Sequence, residues 1–116
     1  MTDITIYHNP RCSKSRQTLQ LLRDRGIDPT IVEYLKQPLS AAQIKRLLAM
    51  LKMTPRELLR NKEADYAALN LANPKLSDGA LIKAMAEHPH LMERPIVVVG
   101  ERAVLGRPPE RVLEIL

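Results

Sequence analysis

The segment His8-Asn9-Pro10-Arg11-Cys12-Ser13-Lys14-Ser15-Arg16 gathers the residues best suited to chemistry. Cys12 is the only cysteine of the chain, and it falls where a strand pattern hands over to a helix pattern. A helix start offers free backbone N–H groups and the positive end of the helix dipole, which bind anions and favour a thiolate over a thiol. Arg11, Lys14 and Arg16 add positive charge that acts in the same direction. A lone cysteine is ordinarily a small buried hydrophobe. Neighbours of the types Asn, Pro, Arg, Ser and Lys argue against burial here, and for a nucleophile.

His8 either helps to hold that thiolate or faces solvent. Ser15 stands where the second cysteine of a C-x-x-C motif would be. Its hydroxyl either donates to the Cys12 sulfur or bonds the backbone of the first helical turn. Arg60, Arg94 and Arg107 each lie at the edge of an element. Surface charge is the ordinary role of an arginine, yet a guanidinium is also the best side chain for bidentate capture of a tetrahedral oxyanion. No metal site is expected, because His8, His88 and His90 lack cysteine or spaced acidic companions. With no second cysteine there is no internal disulfide, so oxidised Cys12 needs an external thiol to regenerate it.

The elements that must position these residues are legible in the periodicity. Ile4 to His8 alternates as a strand does, and Asn9-Pro10 breaks it. Ser13 onward has helical spacing through Leu19, Leu21 and Leu22, with Gly26 as C-cap. Thr30 to Leu35 reads as a second strand. Ser40 opens a helix with Ile44, Leu47, Leu48 and Leu51 on one face, and Pro55 begins a shorter one reaching to about Lys62. A helical turn is expected around Tyr66 to Leu69, then a helix capped by Ser77 or Asp78 that carries Leu81, Ile82 and Met85. Ile96 to Val99 and Ala103 to Leu105 form a hairpin about Gly100-Glu101. Pro108-Pro109 opens a last helix with Val112, Leu113 and Leu116 apolar. The order β-α-β, helices, β-β-α describes an α/β mixed sheet covered by helices. One domain over residues 1–116 is expected, with a helical insertion at about 40–90.

The chain has 45% hydrophobic and 27% charged residues, with Phe and Trp absent. Its core is therefore aliphatic. The net charge of +5 and pI near 9.7 favour an anionic partner. Basic residues are spread along the whole chain and stacking aromatics are scarce, so no nucleic acid is expected. No run approaches the ~18 apolar residues of a membrane helix. The start, Met-Thr-Asp-Ile-Thr-Ile, lacks a basic leader, so a cytoplasmic protein with no membrane partner is expected.

Tyr-His-Asn-Pro-Arg-Cys-Ser-Lys-Ser-Arg-Gln-Thr-Leu, then Glu93-Arg94-Pro95-Ile96, then Gly106-Arg107-Pro108-Pro109-Glu110 resemble the glutaredoxin-coupled arsenate reductase family, in order and over nearly the whole chain. Within the family the chain is most similar to the short bacterial reductase-like members. The resemblance implies a thioredoxin-like fold with a helical insertion. It implies that the Cys12 thiolate attacks arsenate, that glutathione then displaces oxygen at arsenic, and that glutaredoxin resolves the adduct to release arsenite. Glutathione is thus a co-substrate, no cofactor is tightly bound, and the protein is expected to be monomeric.

By the same resemblance His8 assists the nucleophile, Ser15 matches the pattern, and Arg60, Arg94 and Arg107 are the oxyanion ligands. Arg11, Ser13 and Lys14 line the anion loop. Thioredoxin-like folds also place a cis-proline where Pro95 stands, although X-Pro bonds are cis only ~5–6% of the time. Members with established arsenate activity commonly carry Gly-Thr where this chain has Ser13-Lys14. That leaves a glutathione-linked reductase of another substrate as one alternative. A non-enzymatic regulator of the Spx type is another, although its C-x-x-C switch cannot form with Ser15.

Overall fold

The computed structural model describes residues 3–116. Met1 and Thr2, on which part of the no-leader reading rests, lie outside them. The chain divides into two compact units: one runs to Gln37 and resumes over Arg94–Leu116, and the other is Pro38–Glu93.

The first unit holds β1 (Ile4–Tyr7), α1 (Ser13–Asp24), β2 (Thr30–Val32), β3 (Ile96–Val99), β4 (Arg102–Leu105) and a 3-10 helix (Pro109–Glu114). The sheet order is β2-β1-β3-β4. β1 pairs parallel with β2 and antiparallel with β3, and β3 pairs antiparallel with β4. Ile6 faces Ile31 on one side and Val97 on the other. A parallel pair needs a crossover, and α1 provides it. Gly100, at φ 62°, supplies the left-handed residue that closes the β3–β4 hairpin.

α1 buries Ser15, Thr18, Leu19 and Leu22, a stripe at helical spacing. Leu19 and Leu22 join Ile6, Val97, Val104 and Val112 in the core. Gly26 ends the helix as expected. At φ 76° it donates to the Arg23 carbonyl at 2.9 Å, while Ile27 N–H reaches Leu22 O at 3.0 Å, a Schellman closure.

The second unit is helical: α2 (Ala41–Leu51), α3 (Pro55–Leu58), α4 (Ala64–Ala68), α5 (Asp78–Glu87) and a 3-10 turn (Pro89–Leu91). Capping boxes start α2 (Ser40 with Gln43) and α3 (Thr54 with Glu57), and the Ser77 hydroxyl caps α5. α2 and α3 both pack against α5.

Three elements differ from the sequence reading. β2 stops at Val32, because Lys36 and Gln37 N–H groups both turn back to the Glu33 carbonyl. α3 ends at Leu58 instead of near Lys62, because Leu59 bridges to Met92 and Arg60 N–H bonds Leu91 O at 2.7 Å. The last element is a 3-10 helix rather than an α-helix. In it Val112 is buried and Leu113 half-buried, while Leu116, past its end at Glu114, is exposed.

Candidate active site

The site begins where β1 ends. His8 N–H extends the sheet by bonding Val32 O at 2.9 Å. Asn9 then shapes a tight turn: its carbonyl accepts the Cys12 N–H at 3.0 Å and its Oδ1 accepts the Arg11 N–H at 3.0 Å. An Asn-Pro start suits such a turn, since the Asn side chain mimics a backbone acceptor and Pro10 has its φ preset. The turn delivers Cys12, extended at φ −92° and ψ 123°, to the N-cap position of α1.

Cys12 is half-buried. The thiol makes no side-chain cap hydrogen bond, and the Ser15 and Lys14 N–H groups of the first turn favour its thiolate. The Arg94 guanidinium beside the sulfur also favours the thiolate. Partial burial is the largest single influence on this group and opposes ionisation. The Ser15 N–H, the Arg94 side chain, the Lys14 N–H and the Arg94 charge together outweigh it, so the thiol lies below its ordinary value.

His8 and Ser15 form a buried pair beneath the loop, with His8 Nδ1 2.6 Å from Ser15 Oγ. The same oxygen accepts the Asn9 N–H at 3.0 Å. His8 therefore does not face solvent. Burial is the main force lowering its pKa; Glu33 works against it, and Arg23 and Arg16 add to it. The imidazole is held neutral. Of the two roles open to Ser15, the hydroxyl takes backbone and histidine partners, and it is the Ser15 backbone N–H that reaches the sulfur.

Arg94 and Arg107 are each followed by a cis-proline, Pro95 and Pro108. Arg107 Nη1 donates to the Arg94 carbonyl at 3.1 Å. Arg11 and Ser13 are exposed, and Lys14 is half-buried. Arg16 Nη1 donates to the Pro10 carbonyl at 2.9 Å, which steadies the turn. The first unit thus brings together His8, Cys12, Ser15, Arg94 and Arg107. Arg60 belongs to the helical unit, where its Nε meets Glu63 at 3.1 Å and its Nη1 meets Glu93 at 3.3 Å.

The histidines of the helical unit do have an acidic companion, contrary to the sequence reading. Asp65 lies 3.4 Å from His88 Nδ1 and 2.7 Å from His90 Nε2. Among the described residues, no cluster is arranged to hold a metal ion. The sequence places the break at Asn9-Pro10 but does not show Asn9's hydrogen bonds, and it passes over Thr18, which could have been found as a polar residue on the buried stripe of α1.

A mixed sheet of this order, with a cysteine at the N-cap position of the helix that follows its first strand, defines a thioredoxin-like fold carrying a single-thiol site. The model of the ArsC family matches residues 7–115, and the chain belongs to that family. Among its relatives, the uncharacterized protein YfgD of Escherichia coli K12 is 56% identical, over 97% of this chain and 96% of that one. An arsenate reductase of Haemophilus influenzae is 48% identical, over 97% and 98% of the two chains. A solved arsenate reductase from Vibrio cholerae superposes with a TM-score of 0.97 at 52% identity, covering 99% of this chain and 98% of the other.

Proposed function

We propose that this protein is an arsenate reductase whose nucleophile is the Cys12 thiolate. The observation that carries the proposal is the sulfur at the N-cap of α1, facing the Lys14 and Ser15 N–H groups and the Arg94 guanidinium. Relatives named arsenate reductase, which align over nearly the whole chain, support the substrate.

In the proposed reaction the thiolate attacks arsenic(V), and a sulfur–arsenic bond forms as an arsenic oxygen leaves as water. Glutathione displaces a second oxygen. A glutaredoxin thiol then attacks the glutathione sulfur. The electron pair of the broken sulfur–arsenic bond stays on arsenic, which becomes arsenic(III), and the glutathione–glutaredoxin disulfide carries away the oxidation. Hydrolysis releases arsenite and returns the Cys12 thiolate.

Arg94 and the N–H groups balance charge first on sulfur and then on the oxyanion. His8, held neutral chiefly by burial and bonded to Ser15, assists without a charge of its own. Arg107 orders the Arg94 backbone and, with Arg60, completes the proposed oxyanion ligands, while Arg11, Ser13 and Lys14 line the loop. The proposal includes a monomeric, cytoplasmic enzyme without a tightly bound cofactor, formed as one domain over residues 1–116 in which the helical segment interrupts the sheet unit. No helix among the described residues is long and apolar enough to cross a membrane.

Incubation with arsenate, glutathione, glutaredoxin and NADPH tests this. Arsenite should form with the wild type and not with Cys12→Ser; equal, background-level arsenite in both removes the assignment. The Ser13-Lys14 pair supports a second reading, a glutathione-linked reductase of another substrate. A glutathione adduct on Cys12 without arsenate turnover would select it.

A further inference from the structure

Thr18 is fully buried on α1. Its hydroxyl has one hydrogen and two carbonyls in reach, Lys14 O at 2.8 Å and Gly106 O at 3.3 Å. The shorter bond goes to Lys14, and this choice matters for the site. The Lys14 carbonyl and the Ser15 N–H are the two ends of one peptide unit, and that N–H is the N3 donor of α1, one of the free N–H groups at the helix start that Cys12 caps in position and that favour its thiolate. A donor at the carbonyl end of an amide polarises it and strengthens the bond made at the other end.

We propose that Thr18 is a positioning residue for Cys12: its hydroxyl aims and polarises the Lys14–Ser15 peptide so that its N–H donates to the sulfur. The proposal rests on the reading of Cys12 as the working thiolate.

The surroundings hold Thr18 in that role. At Gly106 a Cβ would stand 2.5 Å from Thr18 Oγ1 and 2.9 Å from its Cγ2, so the missing side chain is what leaves the hydroxyl its place. Gly106 N–H in turn bonds Pro95 O at 2.9 Å. The contact therefore joins α1 to the residues next to Arg94 and Arg107. The charged group on the sulfur, Arg94, comes from the segment before β3. His8 at the end of β1 reaches the same helix through Ser15, and Arg107 acts through the Arg94 carbonyl. Substitution at Thr18 leaves all three side chains in the protein.

The test is the rate of Cys12 alkylation by iodoacetamide against pH in the full chain. Thr18→Val and Thr18→Ala should raise the midpoint by about 0.2–0.5 of a pH unit, while Thr18→Ser keeps the wild-type value. If Thr18→Val does not fold, the Ala and Ser variants decide, since they differ by one hydroxyl. Midpoints that coincide across the folded variants overturn the proposal, as does a Ser variant shifted as far as Ala. Alkylation needs no arsenate, so a midpoint shift in a protein that fails the arsenate assay would uphold Thr18 and reject only the substrate.

Discussion

Ser15 Oγ lies 2.6 Å from His8 Nδ1, and through this one oxygen the end of β1 is tied to the first turn of α1. Both residues are buried, and the oxygen also satisfies the Asn9 N–H. Ser15→Ala would leave a buried ring nitrogen and a buried N–H without that partner. The expected cost is about 1–3 kcal/mol of stability, read from denaturant unfolding. A change within ~0.5 kcal/mol, as for an ordinary surface substitution, would contradict it.

His8 should make the protein acid-sensitive. Its folded pKa lies below the unfolded value, so the unfolded chain takes up a proton that the buried ring resists. Stability is full above about pH 6.5 and is lost as pH falls from there through the lowered folded value. Unfolding midpoints of wild type and His8→Gln, followed from about pH 8 to pH 5, should diverge below ~6.5 with the wild type losing more. Parallel curves would remove the claim that burial holds His8 neutral.

The Arg94 guanidinium beside the Cys12 sulfur favours its thiolate. Arg94→Ala should raise the alkylation midpoint of Cys12 by about half to one pH unit, the size of a charge-assisted bond reduced by solvent screening. Arsenite formation should fall with it. An unmoved midpoint would show that the guanidinium does not hold the thiolate.

Gly106→Ala should destabilise by about 1–3 kcal/mol through overpacking, since the new methyl meets Thr18 and, at 2.9 Å, Pro95 Cγ. Thermal unfolding measures it. An alanine variant as stable as wild type would mean that this contact yields without loss.

Local pattern was enough for α1, α2, α5 and the β3–β4 hairpin, whose apolar stripes, caps and glycines all lie within their own segments. It also placed Cys12 at the start of α1, because Asn9-Pro10 can continue neither strand nor helix. What local pattern could not supply came from partners far along the chain. α3 is cut short at Leu58 by Met92, and Arg60 is paired with Glu93 as well as with nearby Glu63. Arg94 reaches a sulfur that the sequence leaves distant. The division of labour within Ser15, hydroxyl to His8 and N–H to Cys12, depends on side-chain direction, which spacing does not encode. His88 and His90 found Asp65 for the same reason.

The central claim, that Cys12 is stored as a reactive thiolate, is tested most directly in the wild-type chain, whose lone cysteine makes the signal unambiguous. The measurement is the iodoacetamide alkylation rate across pH, with the midpoint compared to a free thiol. A midpoint below the ordinary value of ~8.5 is expected. A midpoint at or above that value would contradict it.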